Sequence, residues 1–516
     1  MGESRTDNPS RAGRPFPPAA WLAIALVTAA GCSSPLRFPA AALRTEPTAA
    51  GLVRAYDTDG DRRPDYFATQ DEGGRIILIA YDTTGDGEAD AFIRLDDLPI
   101  SACRHVIIIL DGVGYETVEA FRREGGLRLF HPPVRLISTF PAMTDLALAD
   151  AFRTVPGVGY EVVYFDRRAN RLVGGDADYL SMKNEAWAKD LAYRAGMVWD
   201  ALAYLYPGAV FNYELAEFKK VFDRRDRMEV PAYFVATAGL GTRLGSEGQR
   251  RVIETLDRLA EELVWRTGGL VKVTVLSDHG HALVRAARVD FRSYLRGQGW
   301  RAADRLDGPR DVAVIEYGLV TYAAFAARDR PALAATLIEH PAVDLVTYPE
   351  GEAVVVERPG AKAVVERRAG RYRYRPLQGD PLELAPIIGK MAAEKLLDAD
   401  GFAEDAAWFA RTLTHKYPDC LDRLWRAFNG LVENPPDVIA SLKDGYFAGL
   451  ASRAAWLPYV ASTHGDLGRK SSTAFIMSTA GPLAPPQTGV RHRDVPAIMQ
   501  RLEGREWPPS RQGGDK

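Results

Sequence analysis

The sequence predicts an α/β protein built on a largely parallel sheet, with a β-rich insert and a small N-terminal module of acidic repeats. Residues 106–110 form an all-apolar run and residues 271–276 a second run rich in β-branched residues, as expected of strands buried in a sheet. Between them, residues 247–266 carry apolar side chains at helical spacing. Because strands alternate with helices in this region, its sheet is expected to be mainly parallel.

The first residues carry the features of an export signal. Three arginines precede the apolar run 19–27, which is too short to span a bilayer comfortably. Small residues follow, and Cys32 stands where a bacterial lipoprotein signal, which this segment resembles, has the cysteine that is lipidated after cleavage. An ordinary cleaved signal with an incidental cysteine is the alternative.

Both interpretations place the folded protein outside the cytoplasm. The lipoprotein interpretation predicts a signal peptide over 1–32 and a linker over 33–50. It also predicts contact with the membrane through a lipid on Cys32. We therefore expect a protein anchored in the bacterial cell envelope, facing the periplasm or the exterior.

A repeat of acidic residues follows over 51–98. The pattern Ala-Tyr-Asp-Thr, with a later Gly, Asp and Phe, begins at residue 55 and again at residue 80. Oxygen ligands at alternate positions around a glycine turn are how short loops bind Ca²⁺, and the pattern resembles the calcium loops of extracellular repeat modules. A pair of acidic surface turns is the alternative. The candidate Ca²⁺ ligands are Asp57, Asp59, Asp61, Asp65, Asp82, Asp86 and Asp90.

Beyond the repeats, the chain is predicted to divide into a core and an insert. The core takes residues 104–310 and 430–505, and the insert or cap region takes 311–429. Alternating apolar and charged residues with glycine-containing turns indicate β structure in most of the insert, and a helical pattern follows from residue 385.

Composition limits the partners of this protein. The net charge is −3, so no basic surplus favours a nucleic-acid duplex as a partner. Cys103 and Cys420 could pair as a disulfide in an exported protein, or remain separate buried thiols.

Four separate segments supply the residue types that metal-assisted phosphoryl transfer needs, namely carboxylate and imidazole ligands and an oxygen nucleophile. Asp111 and the pair Asp278 and His279 each follow a predicted strand, where α/β sheets build their sites. Thr144 is expected at a helix N-terminus, whose dipole and free N–H groups favour an anion. His464 follows two polar residues, Ser462 and Thr463. Taken singly, these residues could equally be a helix cap, turn residues, an N-cap hydroxyl and a solvated loop residue.

In their joint order, these residues resemble the type I phosphodiesterase and nucleotide pyrophosphatase branch of the alkaline phosphatase superfamily. The matching segments are 106–112, 140–144, 274–280 and 462–465, with closing elements at 478–482 and 494–496. The resemblance implies a doubly wound core and hydrolysis through a covalent phospho-threonine on Thr144. It also implies a zinc ion, or Mn²⁺, held by Asp111, Thr144, Asp278 and His279, with His464 belonging to a second ion.

The sequence departs from this family at the second metal. The family takes an Asp and a His from a stretch whose counterpart is 238–245, and Ala238 and Thr242 occupy the two ligand positions. Neither side chain is a useful zinc ligand. In one hypothesis a single metal suffices, as the resemblance to the single-zinc phosphoethanolamine transferases of this superfamily would allow. In a second, His281 rebuilds the second site, or Arg243 instead neutralises the charge of the phosphate. In a third hypothesis the chain has lost catalysis.

The function predicted from the sequence is therefore a metal-dependent phosphoesterase, either a phosphodiesterase or a phosphatase. Its expected substrate is a phosphorylated small molecule or lipid. The alternatives are a single-metal phosphoryl-group transferase and a catalytically degenerate envelope protein that binds a ligand.

Overall fold

The computed structural model describes residues 36–49, 51–457, 459–485, 487–504 and 507–508. The predicted signal peptide and its Cys32 lie outside these residues. No helix in the described ranges is both long and apolar enough to cross a lipid bilayer. Cys103 and Cys420 are buried free thiols, so the disulfide alternative does not apply in this structure.

Seven strands form the central sheet: β6 (Arg104–Leu110), β7 (Val134–Ile137), β10 (Tyr193–Arg194), β11 (Glu229–Phe234), β12 (Val271–Ser277), β24 (Thr473–Ser478) and β25 (Gly489–Arg491). Their order is β10-β11-β6-β12-β24-β7-β25. Strand β24 runs antiparallel to both of its neighbours, and the other pairs are parallel. The predicted α/β fold is therefore confirmed, with a central sheet that is mixed rather than uniformly parallel.

Helices connect these strands and supply most of the layers around them. The α-helices are α1 (Tyr115–Arg123), α2 (Thr144–Ala151), α3 (Asp176–Leu180), α4 (Met197–Leu205), α5 (Pro207–Asp223), α6 (Ala236–Leu244), α7 (Ser246–Arg266), α8 (Phe291–Gly297), α9 (Arg330–Ile338), α10 (Ala385–Ala393), α11 (Asp405–Thr412), α12 (Cys420–Phe428), α13 (Ala451–Trp456), α14 (Arg469–Ser472) and α15 (Val495–Glu503). Short 3₁₀ turns occupy Leu95–Asp97, Ile100–Ala102, Ala186–Asp190 and His492–Asp494. Helix α7 is the one predicted over 247–266, and its apolar side chains enter the same core as β6 and β12.

An antiparallel sheet of five strands forms the N-terminal module: β1 (Arg44–Thr48), β2 (Gly51–Tyr56), β3 (Tyr66–Gln70), β4 (Ile76–Tyr81) and β5 (Ala91–Arg94). The two acidic loops join β2 to β3 and β4 to β5. Leu36 and Phe38 are buried in the main core, and the Tyr81 hydroxyl donates to the Trp265 carbonyl at the end of α7. Within the predicted linker 33–50, Leu36 and Phe38 therefore contact the core, and Arg44–Thr48 forms the exposed edge strand β1.

A second large sheet contains the predicted insert. Its strands are β14 (Arg301–Ala302), β15 (Asp311–Ile315), β16 (Tyr322–Ala327), β17 (Val343–Glu350), β18 (Ala353–Arg358), β19 (Ala361–Arg368), β20 (Arg371–Gln378), β21 (Ala403–Glu404) and β22 (Val438–Leu442). Strand β22 lies between β16 and β17. The predicted boundaries 311–429 are therefore too narrow, because residues assigned to the core complete this sheet. Two short pairs complete the fold: β8 (Tyr164–Asp166) with β9 (Arg171–Val173), and β13 (Ala287–Arg288) with β23 (Tyr446–Phe447).

Candidate functional site

Asp111 and Asp278 stand side by side at one edge of the central sheet. Strands β6 and β12 are parallel neighbours whose register pairs Leu110 with Ser277, so the next residue of each strand reaches the same place. Both carboxyl groups are buried. The Gly112 N–H donates to Asp278 Oδ1 over 2.9 Å, which ties the turn after β6 to the end of β12.

The His279 imidazole links these carboxylates to Thr144. Its Nε2 atom lies 3.4 Å from Asp278 Oδ2, 3.6 Å from Asp111 Oδ1 and 3.4 Å from Thr144 Oγ1. Its Nδ1 atom faces the Gly280 carbonyl oxygen at 3.0 Å. Because a carbonyl can only accept, Nδ1 carries the proton in the neutral ring, and the Nε2 lone pair is free for a ligand.

These atoms have the spacing of metal ligands. In a tetrahedral site with bonds of about 2.1 Å, neighbouring ligand atoms lie about 3.4 Å apart, which the three distances from His279 Nε2 match. Asp111 Oδ1 and Asp278 Oδ2 are buried and accept no hydrogen bond from the described part of the chain. A buried carboxylate oxygen without a partner is costly unless a cation or a proton satisfies it. These residues therefore fit a divalent cation.

Burial controls the protonation of this cluster. It raises the pKa of Asp111 well above its usual value, and the neighbouring Asp278 carboxylate raises it further. It also raises the pKa of Asp278, against the opposing effect of the Gly112 N–H. Burial lowers the pKa of His279 and of His464 to about 3, so both rings are neutral at physiological pH. The cluster therefore offers two kinds of ligand to a cation. The two carboxyl groups lack a countercharge, and the two neutral imidazole rings have lone pairs.

Thr144 is the first residue of helix α2, as the sequence predicts. The loop before it is held by the loop of His464. The Ala142 N–H donates to the Gly465 carbonyl at 3.2 Å, and His464 Nδ1 donates to the Ala142 carbonyl at 2.8 Å. The N-terminus of this helix, with its positive dipole end, would favour an anion bound beside the Thr144 hydroxyl.

A second group of ring nitrogens adjoins the first. The His464 ring stacks on the His279 ring with centroids 3.6 Å apart, and the His281 ring lies 5.3 Å from the His464 ring. Ring nitrogens of all three lie within 4.8 Å of one another. The structure therefore brings His464 to the four residues above, and it adds His281.

Helix α6, which carries the two replaced ligand positions, passes beside this group. A Cβ atom at Gly241 would lie 3.2 Å from the His281 ring, so α6 passes directly beside it. Ala238 and Thr242 are both buried on this helix. A methyl group offers no ligand atom and a neutral hydroxyl is a weak one, so α6 supplies neither the carboxylate nor the imidazole that the family resemblance implies.

Two residues that sequence reasoning missed fix the orientation of Asp111. The Tyr233 hydroxyl donates to Asp111 Oδ2 over 2.6 Å, and the Thr237 hydroxyl donates to the Asp111 carbonyl over 2.7 Å. These contacts leave Oδ1 as the oxygen that faces His279. The available signal was the mostly apolar run 230–234, which lies in β11 beside β6 and so ends next to Asp111.

The acidic loops of the N-terminal module are closed by their own carboxylates. Asp57 accepts hydrogen bonds from the backbone N–H groups three and five residues further on, and Asp82 does the same in the second loop. Asp65 and Asp90 each accept from the N–H and hydroxyl of a threonine at the start of the loop. The repeat seen in the sequence is therefore a repeat in structure.

Ligand spacing differs between the two loops. Carboxylate oxygens of Asp57, Asp59 and Asp61 lie within 4.8 Å of one another. In the second loop Thr84 occupies the position equivalent to Asp59, and Asp86 accepts an N–H two residues further on. Ca²⁺ binding by these loops remains a prediction.

Comparison with known proteins gives a likeness in structure only. No protein-family model matches this chain, and no curated protein sequence matches it. The solved structure of murine ectonucleotide pyrophosphatase/phosphodiesterase 5 aligns with 79% of this chain and 96% of its own, at 13% identity and a TM-score of 0.42. An inactive form of that murine protein in complex with AMP aligns over the same shares, at 12% identity and a TM-score of 0.41. The function must therefore be argued from the site itself.

Proposed function

We propose that this protein is a metal-dependent phosphoesterase in which Thr144 is the nucleophile. One observation carries the proposal: the Thr144 hydroxyl lies at ligand spacing from the His279 ring nitrogen that also faces the two unpartnered carboxylate oxygens. Asp111, Asp278 and His279 would hold one zinc or manganese ion. When bound, that ion supplies positive charge that lowers the pKa of the hydroxyl and polarises the phosphoryl group.

The residues of the chain bind and orient the ester. The N-terminus of α2 receives the phosphoryl oxygens, and Thr144 Oγ1 attacks phosphorus in line with the leaving oxygen. The Oγ1–phosphorus bond forms as the bond to the leaving oxygen breaks, and the hydroxyl proton ends on the leaving alcohol. Water then hydrolyses the phospho-threonine, which restores the hydroxyl and releases phosphate from a monoester substrate or a phosphate monoester from a diester.

A single-metal phosphoryl-group transferase is the second candidate. It uses the same nucleophile and ion, and differs in that an acceptor alcohol instead of water takes the phosphoryl group. The absence of a carboxylate or imidazole at Ala238 and Thr242 favours this candidate, because it weakens any second cation. The substrate in either case is a phosphorylated small molecule or lipid.

An activity assay with a trapped intermediate tests this proposal. Purified protein with Zn²⁺ or Mn²⁺ should cleave nitrophenyl phosphate or bis-nitrophenyl phosphate, and Thr144→Ala should abolish cleavage. The matched control is Thr255→Ala, whose hydroxyl donates to the Arg251 carbonyl within helix α7. Acid quenching during turnover should leave one phosphoryl group on the peptide that contains Thr144. Activity that survives Thr144→Ala would remove the nucleophile.

A different result would support the degenerate binding protein. In that case no ester is cleaved with any divalent metal, and elemental analysis finds no bound ion. If an added alcohol such as glycerol or ethanolamine raises release of nitrophenol and captures the phosphoryl group, the transferase is favoured.

We further propose that the protein is exported and held in the bacterial cell envelope by a lipid on Cys32. The arginines, the apolar run 19–27 and the small residues before Cys32 support this proposal. Cells fed labelled palmitate should label the wild-type protein and recover it with membranes. Cys32→Ser should lose both properties, whereas Cys103→Ser, at a buried cysteine of the folded core, should keep them.

A further inference from the structure

We infer that His281 and His464 form a second divalent-cation site that fills only when a phosphate group is present. This inference rests on the proposed function, because the first ion and the bound phosphate belong to that site. It starts from a buried ring nitrogen that no described residue satisfies. His281 is 2% exposed, and its Nε2 atom has no hydrogen-bond partner among the described residues.

The other nitrogen of His281 is held so that Nε2 can serve as a ligand. Nδ1 lies 3.2 Å from Ser462 Oγ, which also accepts the Leu283 N–H at 2.8 Å. A hydroxyl oxygen has two lone pairs and can therefore accept from both groups. In that arrangement Nδ1 carries the proton and Nε2 has a free lone pair.

His464 supplies a second nitrogen of the same kind. Its Nδ1 donates to the Ala142 carbonyl at 2.8 Å, so Nε2 of the neutral ring is unprotonated. Its ring centre is 5.3 Å from that of His281. One ring nitrogen of each residue lies within 4.8 Å of one ring nitrogen of the other.

Close backbone packing fixes the position of the His281 ring. A Cβ at Gly112 would lie 2.5 Å from His281 Nε2, and one at Gly241 would lie 3.2 Å from its Nδ1. The ring is thus enclosed between the turn after β6 and helix α6, and any larger residue at either glycine would displace it. This enclosure pre-positions a ligand, since the ring cannot swing out to solvent.

His279 cannot complete both sites. Its nitrogens group with Asp111 and Asp278 and also with His281 and His464, but only Nε2 is free, because Nδ1 bonds the Gly280 carbonyl. If the first ion takes His279, the second retains two imidazoles. Zinc in proteins usually has four ligands, so two positions stay open.

A phosphate oxygen and water are the ligands that suit these open positions. The phosphoryl group beside Thr144 Oγ1 lies next to the histidine group, since His464 stacks on His279, which contacts Thr144. Phosphate should therefore raise the affinity of the second ion, and by linkage that ion should raise the affinity for phosphate by the same factor, on the order of tenfold. The first ion, with three protein ligands, should bind without phosphate.

Counting ions tests this inference without measuring turnover. Protein is dialysed against zinc at a free concentration that saturates the first site, with and without inorganic phosphate, and bound zinc is measured by elemental analysis. The wild type should rise from one ion per chain to two. His281→Ala and the larger His281→Gln should stay at one under both conditions. His340→Ala is the matched control, at a histidine packed against Phe291 and Tyr294, and should behave as the wild type.

The outcomes separate this inference from the proposed function. One ion per chain with and without phosphate in the wild type, together with ester cleavage, would overturn the second site alone. A phosphate-dependent second ion that persists in both His281 variants would also overturn it. Loss of the only ion in the His281 variants, or no ion in the wild type, would overturn the first-site ligand set as well.

Discussion

Replacing Asp278 by asparagine should have opposite effects with and without metal. The nearest ligand oxygens of Asp111 and Asp278 lie within 4.8 Å of each other and no described residue neutralises them. Two unit charges at that distance, with an effective dielectric constant of about 20, repel by on the order of 3 kcal/mol. Protonation of Asp111 limits this cost, because burial already raises its pKa. Asp278→Asn keeps Oδ1 as the acceptor for Gly112 and removes the repulsion.

The predicted effect is therefore a more stable metal-free protein that no longer responds to zinc. For a chain of this length, about 1 kcal/mol corresponds to about 1 °C in Tm if it unfolds as one unit, so Asp278→Asn should melt up to about 3 °C above the wild type in chelator. Zinc at about 100 times its Kd should raise the wild-type Tm by a similar amount, since binding contributes about 2.7 kcal/mol. The variant should show no such rise.

Differential scanning fluorimetry in EDTA and in zinc measures both effects. Asp437→Asn is the matched control, because Asp437 is equally buried but pairs with Arg167 and Arg330. That variant should melt lower than the wild type in both buffers and keep its zinc response. The reasoning fails if Asp278→Asn melts lower than the wild type in EDTA, or if zinc still stabilises it.

Three further predictions concern other parts of the molecule. Asp57→Ala combined with Asp82→Ala should lower the Tm more in calcium than in chelator, because in chelator only the hydrogen bonds that close the loops are lost. Identical wild-type melting curves in the two buffers would contradict calcium binding. Burial raises the pKa of Asp200 to about 7, against about 3.9 unfolded, so the wild type loses stability as pH rises through this window. Relative to the wild type, Asp200→Asn should therefore gain up to about 4 kcal/mol between pH 4 and 8 in denaturant titrations, and a pH-independent difference would contradict this. Arg423→Lys should lower kcat more than it changes zinc affinity. The reason is that the buried guanidinium donates to the Thr139 carbonyl over 2.9 Å and so holds the chain just before the loop of Thr144. An unchanged kcat would show that this contact does not position the loop.

The sequence predicted well those strands and helices whose buried side chains appear in the sequence as an apolar run or as apolar residues at helical spacing. Residues 106–110 and 271–276 became β6 and β12 with one or two residues added, because strands covered on both faces need apolar side chains at almost every position. Helix α7 was found for a similar reason, since its apolar side chains recur on one face. The sequence did not indicate that β22, within the predicted core segment 430–505, pairs with β16 and β17, because an apolar run does not encode which neighbours it pairs with.

The sequence did not reveal that part of the predicted N-terminal linker contacts the core, for a related reason. Residues 36–49 are rich in small residues and prolines, which suggested an unstructured tether. Their packing depends on two apolar side chains, Leu36 and Phe38, which reach the main core, and on pairing of β1 with β2. Contacts with partners this distant in sequence leave no local pattern.

The contrast between local pattern and distant pairing also explains which site residues the sequence indicated. Asp111, Asp278 and His279 follow strands, and the register of parallel neighbours brings such positions together without further information. Tyr233 was missed because its role depends on the side of β6 on which β11 pairs. His281 was only one of several alternatives, because its importance depends on helix α6 and on two glycines that leave room for its ring.

The unsatisfied atoms of the cluster also bear on whether this chain has kept catalysis. A protein that used the fold only for binding would gain stability by exchanging one buried carboxylate for an amide or an apolar residue, since an unpaired buried charge costs several kcal/mol. Here two carboxylate oxygens and one imidazole nitrogen remain buried without partners in the described chain. The two carboxylate oxygens face His279 Nε2, which also lies 3.4 Å from the hydroxyl at the start of helix α2. A cation would stabilise such an arrangement, and under the proposed function the Thr144 hydroxyl would be the nucleophile that this cation activates.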